Sequence, residues 1–211
     1  EGSYAADPAA LGQANELFRR GEYDRARTLY ESYLAKDPGA IAVMTIIGDC
    51  WRNAGDRLRA MEAYELAVRK ASAVPGQLVE LGTALGKIGE CWLEEGRREL
   101  ALDFLGRAAA ILPESIAIRA ELGDVLFAMD RSGEAVRHFQ AAIEIEPGNA
   151  LLRFRLGLVH LSLADYAAAR DSFSKVIELD AGSDLARQAR DFLAAIKDKK
   201  APDRPTAVLP P

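Results

Sequence analysis

Two cysteines, Cys50 and Cys91, and two histidines, His138 and His160, are the side chains of this sequence best suited to nucleophilic or metal chemistry. Their placement supports neither. No His or Cys pair has the short spacing of a zinc site, so no metal site and no disulfide framework is expected. No Ser/His/Asp or Cys/His set converges, and no glycine-rich phosphate loop follows a strand pattern, so no catalytic residue and no cofactor is expected. The cysteines lie in near-identical surroundings, Gly48-Asp49-Cys50-Trp51 and Gly89-Glu90-Cys91-Trp92, and read as small, buried, reduced side chains. What recurs beside them is a carboxylate: Asp49, Glu90 and Asp124 each follow a glycine. Like charges held at a regular spacing create a field that attracts cationic groups.

A regular spacing needs a regular scaffold. Ala26, Ala60, Ala101, Ala135 and Ala169 are separated by 34, 41, 34 and 34 residues. Four residues after each comes a large side chain, Tyr30, Tyr64, Leu105, Phe139 or Phe173, and the two share one face of a helix. Twelve residues before each comes a small one, Ala14, Gly48, Gly89, Gly123 or Gly157. A mid-helix Gly costs about 1 kcal/mol in propensity, so its recurrence predicts that two helices approach closely there. Gly21-Glu22, Gly55-Asp56, Gly96-Arg97, Ser132-Gly133 and Ala164-Asp165 mark turns between the two helices of each unit. Asp37-Pro38, Leu112-Pro113 and Glu146-Pro147 end units. At the front, Asp7-Pro8 reads as an N-cap with Pro at the first helical position.

A 34-residue period with an early small residue, Ala and a large residue in the second helix, and Pro near the end resembles the tetratricopeptide repeat over about residues 7–183. The resemblance implies an all-α fold, a right-handed superhelical α-solenoid of helical hairpins. The expected units are about 7–40, 41–74, 82–115, 116–149 and 150–183, with an insertion at 75–81, a capping helix at 184–200 and a Pro-rich disordered tail at 201–211. Arg119 and Arg153 stand where the family usually has a large apolar residue, so looser packing is expected in the last two units.

The resemblance also implies that first helices line a concave groove in which partner peptides or helices bind. One residue after each small place, Asn15, Asp49, Glu90, Asp124 and Leu158 should face that groove. Further along the same helices, Phe18, Arg52, Asn53, Leu93, Glu94, Phe127, Leu161 and Ser162 should join them. The groove is thus expected to be acidic in its middle, beside an apolar stripe of Leu93, Phe127 and Leu161, and to suit a basic or mixed apolar-basic segment of a partner protein. Asn15 lacks the neighbouring Lys and Arg of family members that clamp a terminal carboxylate, which argues against such a clamp.

Seven extra residues separate the second and third anchors, and Pro75-Gly76 breaks the chain among them. Most of the insertion is expected to lengthen the third unit's first helix by roughly two turns, about 10 Å. Gly82, Gly86 and Gly89 should then pack on the preceding hairpin, with Leu78, Val79 and Leu81 forming a ledge at the groove rim. In the capping helix, Leu185, Ala189, Phe192, Leu193 and Ile196 form an apolar stripe opposite a charged face, as the end of a stack requires.

A net charge of -5 and a pI near 5.2 argue against nucleic acid as a partner, because phosphate binding needs a concentrated basic surface. No window approaches the ~18 consecutive apolar residues of a membrane span. Glu1-Gly2-Ser3-Tyr4 has no basic segment leading into an apolar one, and cytoplasmic or periplasmic placement depends on what precedes it. An interaction scaffold or adaptor is the leading expectation. A self-assembling structural protein and an accessory protein of bacterial envelope assembly, for a pilus or secretion system, are the alternatives.

Overall fold

The computed structural model of the chain describes residues 8–197. Eleven helices and no strand are present among them. Ten helices pair as hairpins: α1 (Pro8–Arg19) with α2 (Tyr23–Lys36), α3 (Ile41–Asn53) with α4 (Arg57–Ala73), α5 (Leu78–Glu94) with α6 (Arg98–Ile111), α7 (Ile116–Ala128) with α8 (Ser132–Ile145), and α9 (Ala150–Ser162) with α10 (Tyr166–Leu179). The eleventh, α11 (Asp184–Lys197), packs on α10 and α9. The chain divides into two compact units, one through Leu112 with three hairpins, the other from Pro113 with two hairpins and α11.

Every first helix stops in the same way. Gly21, Gly55 and Gly96 take φ of 77°, 88° and 72°, and Asp130 and Ala164 take φ of 58° and 56° at the matching places. The next residue then donates its N–H to the carbonyl five back: Glu22 to Leu17, Asp56 to Trp51, Arg97 to Trp92, Arg131 to Leu126 and Asp165 to His160, at 2.8 to 3.0 Å. This left-handed closure satisfies carbonyls that the ended helix leaves open. Asp56 and Asp165 in turn cap the second helices, accepting from the N–H of Arg59 and Ala168.

The small and large residues of the repeat meet face to face within each hairpin. A Cβ built on Gly89 would lie 2.7 Å from Leu105, on Gly123 2.7 Å from Phe139 and on Gly157 2.7 Å from Phe173, closer than real carbon contacts allow. Gly48 stands in the same relation to Tyr64. Glycine is kept mid-helix because any side chain there would drive the two helices apart. Between the first two hairpins, Trp51 lies under the guanidinium groups of Arg27 and Arg59, 3.6 and 4.6 Å from its ring centre.

The insertion is placed differently from expectation. α5 has seventeen residues against thirteen in α3, four more, and α4 has seventeen against fourteen in α2, three more. The seven residues therefore add about one turn to each helix flanking Pro75-Gly76. Gly82 and Gly89 pack on Leu112 and Leu105 of their own hairpin, not on the preceding one. Of the expected ledge, Leu78 and Val79 are exposed, while Leu81 packs against the cluster of Ile41, Met44 and Ala84.

Arg119 and Arg153, at the places where looser packing is expected, are both hydrogen-bonded to backbone. Arg119 donates to the carbonyl of Pro113, and Arg153 donates from Nε and Nη2 to the carbonyl of Pro147 at 3.1 and 3.0 Å. Each guanidinium fastens the turn before its helix, satisfying a carbonyl that Pro has placed outside the helical ladder.

α11 covers the last hairpin with the apolar stripe expected of it. Ala189 and Ile196 join Phe154, Leu158, Leu161 and Phe173 in one core, and Phe192 stacks on Phe173 at 5.1 Å between ring centres. The expected cap residues 198–200, the tail 201–211 and the N-cap Asp7 lie outside the described residues.

Candidate functional site: the face of the first helices

In the first unit, the residue after each small place is held by a hydroxyl or an ion pair. Tyr30 Oη donates to Asn15 Oδ1 at 2.6 Å, and Tyr64 Oη donates to Asp49 Oδ1 at 2.8 Å. Burial pushes the Tyr30 hydroxyl up to about 12, with the neighbouring Cys50 adding to the shift, so it remains a donor at neutral pH. Tyr64 is raised as well, first by burial and then by Asp49 itself.

The expected acidic line is not open. Lys87 Nζ lies 3.5 Å from Asp49 Oδ1 and 3.1 Å from Glu90 Oε1. Arg52 pairs with Glu90 through Nη1 and with Glu94 through Nε at 2.8 Å, and Arg57 reaches Glu94 at 3.2 Å. Three acids of α3 and α5 thus face three cations, Arg52 of α3, Arg57 of α4 and Lys87 of α5, and the field argued from the carboxylates alone is cancelled at close range. Burial works against the charge on Arg52 and Lys87, yet the carboxylates raise both, Glu90 foremost. Asn53 is exposed and donates to the backbone carbonyl of Asp49 at 2.8 Å, and Leu93 is half-buried.

In the second unit, Arg155 Nη1 meets Asp124 Oδ2 at 2.8 Å, while Asp124 Oδ1 is buried with no hydrogen-bond partner among the described residues. Burial pushes the Asp124 carboxyl up to about 6, only partly offset by Arg155. Phe127 is half-buried against the core under α11. Leu158 and Leu161, expected on the groove, are 1% and 8% exposed and belong to that core. The physical reason is α11, whose apolar stripe lies over them, so the expected stripe of Leu93, Phe127 and Leu161 loses its last member.

The sequence reading missed Lys87, Arg57 and Arg155, the cations that neutralise the acids, and the hydroxyls of Tyr30 and Tyr64. Only the tyrosines left a usable signal: each stands fifteen residues after an Asn or Asp that can accept from it.

Burial pushes the Cys50 and Cys91 thiols up to about 12 and about 11, away from the reactive thiolate. It also holds His138 and His160 below the usual histidine range. Among the described residues no group of three His, Cys, Asp or Glu side chains is placed to hold a metal, and no helix is long and apolar enough to cross a membrane.

One concavity of the first unit is a cleft of about 270 Å³ lined by Asn15, Phe18, Arg19, Tyr30, Ile46 and Asp49. Phe18 and Ile46 are half-buried and apolar, with Asn15 and Asp49 beside them.

The tetratricopeptide repeat family model matches residues 11–75 and 121–184. The chain belongs to the tetratricopeptide repeat family. The stretch of this tetratricopeptide chain between the two matches, 76–120, contains the hairpin whose first helix is lengthened. Anaphase-promoting complex subunit 3 of Schizosaccharomyces pombe is 38% identical over 66 residues, 31% of this chain and 10% of that protein. The chain spans between 10% and 30% of the length of the curated relatives it matches. Among solved structures, Pseudomonas aeruginosa pilF superposes with a TM-score of 0.73 at 18% identity over 99% of this chain and 96% of its own. YrrB, described as a tetratricopeptide protein with an unusual peptide-binding site, superposes at 0.65 with 22% identity over 90% and 93%. At these identities the likeness establishes the tetratricopeptide fold.

Proposed function

We propose that this chain is a protein-interaction scaffold and that the faces built by its first helices hold a segment of a partner protein. The observation that carries the reading is the pair Asn15 and Asp49: each is fixed by a tyrosine hydroxyl at the edge of an apolar cleft. Side chains locked before binding lose less entropy when a ligand arrives. The peptide-binding site described for YrrB supports the same use of the fold. In the first unit the contact residues are Asn15, Asp49, Arg52, Asn53, Glu90, Leu93 and Glu94, and in the second Asp124 and Phe127. Because the acids are already paired, the segment is recognised by apolar and hydrogen-bonding groups, with basic residues secondary.

The test is selection of random displayed peptides on the immobilised chain, followed by binding of the enriched peptides to Arg52→Ala, Leu93→Ala and Phe127→Ala. Glu144→Lys on α8 serves as the off-face control. Loss of binding in Arg52→Ala and Leu93→Ala for peptides held by the first unit, in Phe127→Ala for peptides held by the second, and in the control for neither, is the expected result. Equal binding by all four would place recognition on second helices or loops and overturn the reading.

Self-association is favoured by one separate observation: Val74, Leu78 and Val79 are 47%, 60% and 63% exposed around the lengthened turn. Light scattering over a concentration series, with Leu78→Asp as the comparison, distinguishes it: a mass that rises in the parent alone supports self-association, and a constant mass excludes it.

A further inference from the structure

We infer that the cleft between α1 and α3 seats one uncharged apolar residue of a bound chain and that Asn15 and Asp49 read the backbone amide beside it. The inference rests on the interaction reading above and specifies which part of a partner the first unit selects. At about 270 Å³ the cleft lies below the usual range of small-molecule pockets, roughly 300 to 1,000 Å³, and suits a single side chain.

The hydrogen bonds around it leave a particular pattern. Tyr30 occupies Asn15 Oδ1, so the side-chain amide is oriented with Nδ2 unspent among the described residues. The next hairpin supports this orientation. At the equivalent place Tyr64 faces Asp49, an ionised carboxylate that can only accept, so the tyrosine there must donate. Tyr64 and Lys87 both engage Oδ1 of Asp49, which leaves Oδ2 as the acceptor. A donor and an acceptor at one cleft complement the C=O and N–H of a peptide backbone.

Charge complementarity selects a neutral side chain. Arg19 is held by Glu16, and Asp49 shares Lys87 with Glu90. A cationic side chain entering the cleft would compete with Lys87 for Asp49, and an anionic one would meet Asp49 itself. An aliphatic side chain against Phe18 and Ile46 displaces only water.

The experiment titrates methyl- and amide-labelled protein with three blocked amino acids: N-acetyl-leucine, N-acetyl-lysine and N-acetyl-glutamate methylamides. The leucine probe is expected to shift the Ile46 methyl and Asn15 side-chain amide signals saturably, with the other two binding several-fold more weakly. Asn15→Asp keeps the acceptor for Tyr30, as Asp49 does for Tyr64, and removes the donor; it should weaken the leucine probe by about 3- to 10-fold, the worth of one hydrogen bond. Ile46→Trp should fill the cleft and abolish the shifts. Lysine binding as tightly as leucine, unchanged affinity in Asn15→Asp, or no saturable shift of these signals would each overturn the inference. Displayed peptides that lose binding in Arg52→Ala but not in Ile46→Trp would do so too, while leaving the scaffold reading in place. Saturable leucine binding with no enriched peptide would sink the scaffold reading instead.

Discussion

Tyr64 donates its hydroxyl hydrogen to Asp49 at 2.8 Å across one hairpin, whereas among the described residues no hydroxyl reaches the matching Asp124, whose Oδ1 is unpartnered. The residue fifteen after Asp124 is Phe139, fully buried against Gly123, so the ring is present and only the hydroxyl is missing. Restoring it by Phe139→Tyr should satisfy the orphaned Asp124 Oδ1 and stabilise the chain by about 1 kcal/mol. The reverse change, Tyr64→Phe, should cost about 1–2 kcal/mol, since its acceptor is charged. Urea unfolding of both variants checks the pair, and destabilisation by Phe139→Tyr would contradict the assigned geometry.

Asp124 also makes stability depend on pH. Its folded value, about 6, stands above the ordinary 3.8, so the folded chain binds this proton more tightly than the unfolded chain does. The unfavourable contribution is absent below about pH 4, grows as pH rises and is complete above about pH 6. On this account the parent gains on the order of 1–3 kcal/mol relative to Asp124→Asn when pH falls from about 7 to about 4. Thermal or urea unfolding of both proteins across that window measures it. A difference that stays constant with pH would show that Asp124 titrates normally.

Ala164 sits at φ 56°, where its neighbours in the first three hairpins are glycines. A side chain in the left-handed region costs roughly 1–2 kcal/mol, and glycine gives back part of that through its freer unfolded state. Ala164→Gly should therefore raise stability by about 0.5–1 kcal/mol. Gly55→Ala, at φ 88°, should lower it, and melting temperatures that move the other way would refute the conformational assignment.

Ending the chain before Asp184 removes α11 and uncovers Leu158, Leu161 and Phe173. Burial of a large apolar side chain is worth about 1.5–3 kcal/mol, so several lost together exceed what one hairpin can spare. The truncated chain is expected to aggregate or to lose hydrogen-exchange protection first in α9 and α10, because stacked hairpins couple mainly to their neighbours. A soluble product with unchanged protection would mean that α11 adds nothing to the stack.

The hairpins were legible in the sequence because their packing is periodic and local. Gly48 needs Tyr64 sixteen residues on, and the same offset recurs as Gly123 with Phe139 and Gly157 with Phe173, so one steric rule is written several times over. The apolar stripe of α11 was legible for a similar reason, since helical periodicity reveals which face must be covered. What periodicity does not carry is the partner of a charge. Arg52 and Glu90 are 38 residues apart, and Asp124 and Arg155 are 31, separations unrelated to any spacing within one helix. Asp49 and Glu90 therefore read as an open acidic line until α3 and α5 were brought together and Lys87 and Arg52 filled the space between them. Leu158 and Leu161 read as groove residues by register, and only the docking of α11 put them in the core. Local sterics, repeated at spacings of 34 residues and once of 41, determined the elements; contacts between successive hairpins, which depend on three-dimensional proximity and long flexible side chains, decided which of their faces remain available to a partner.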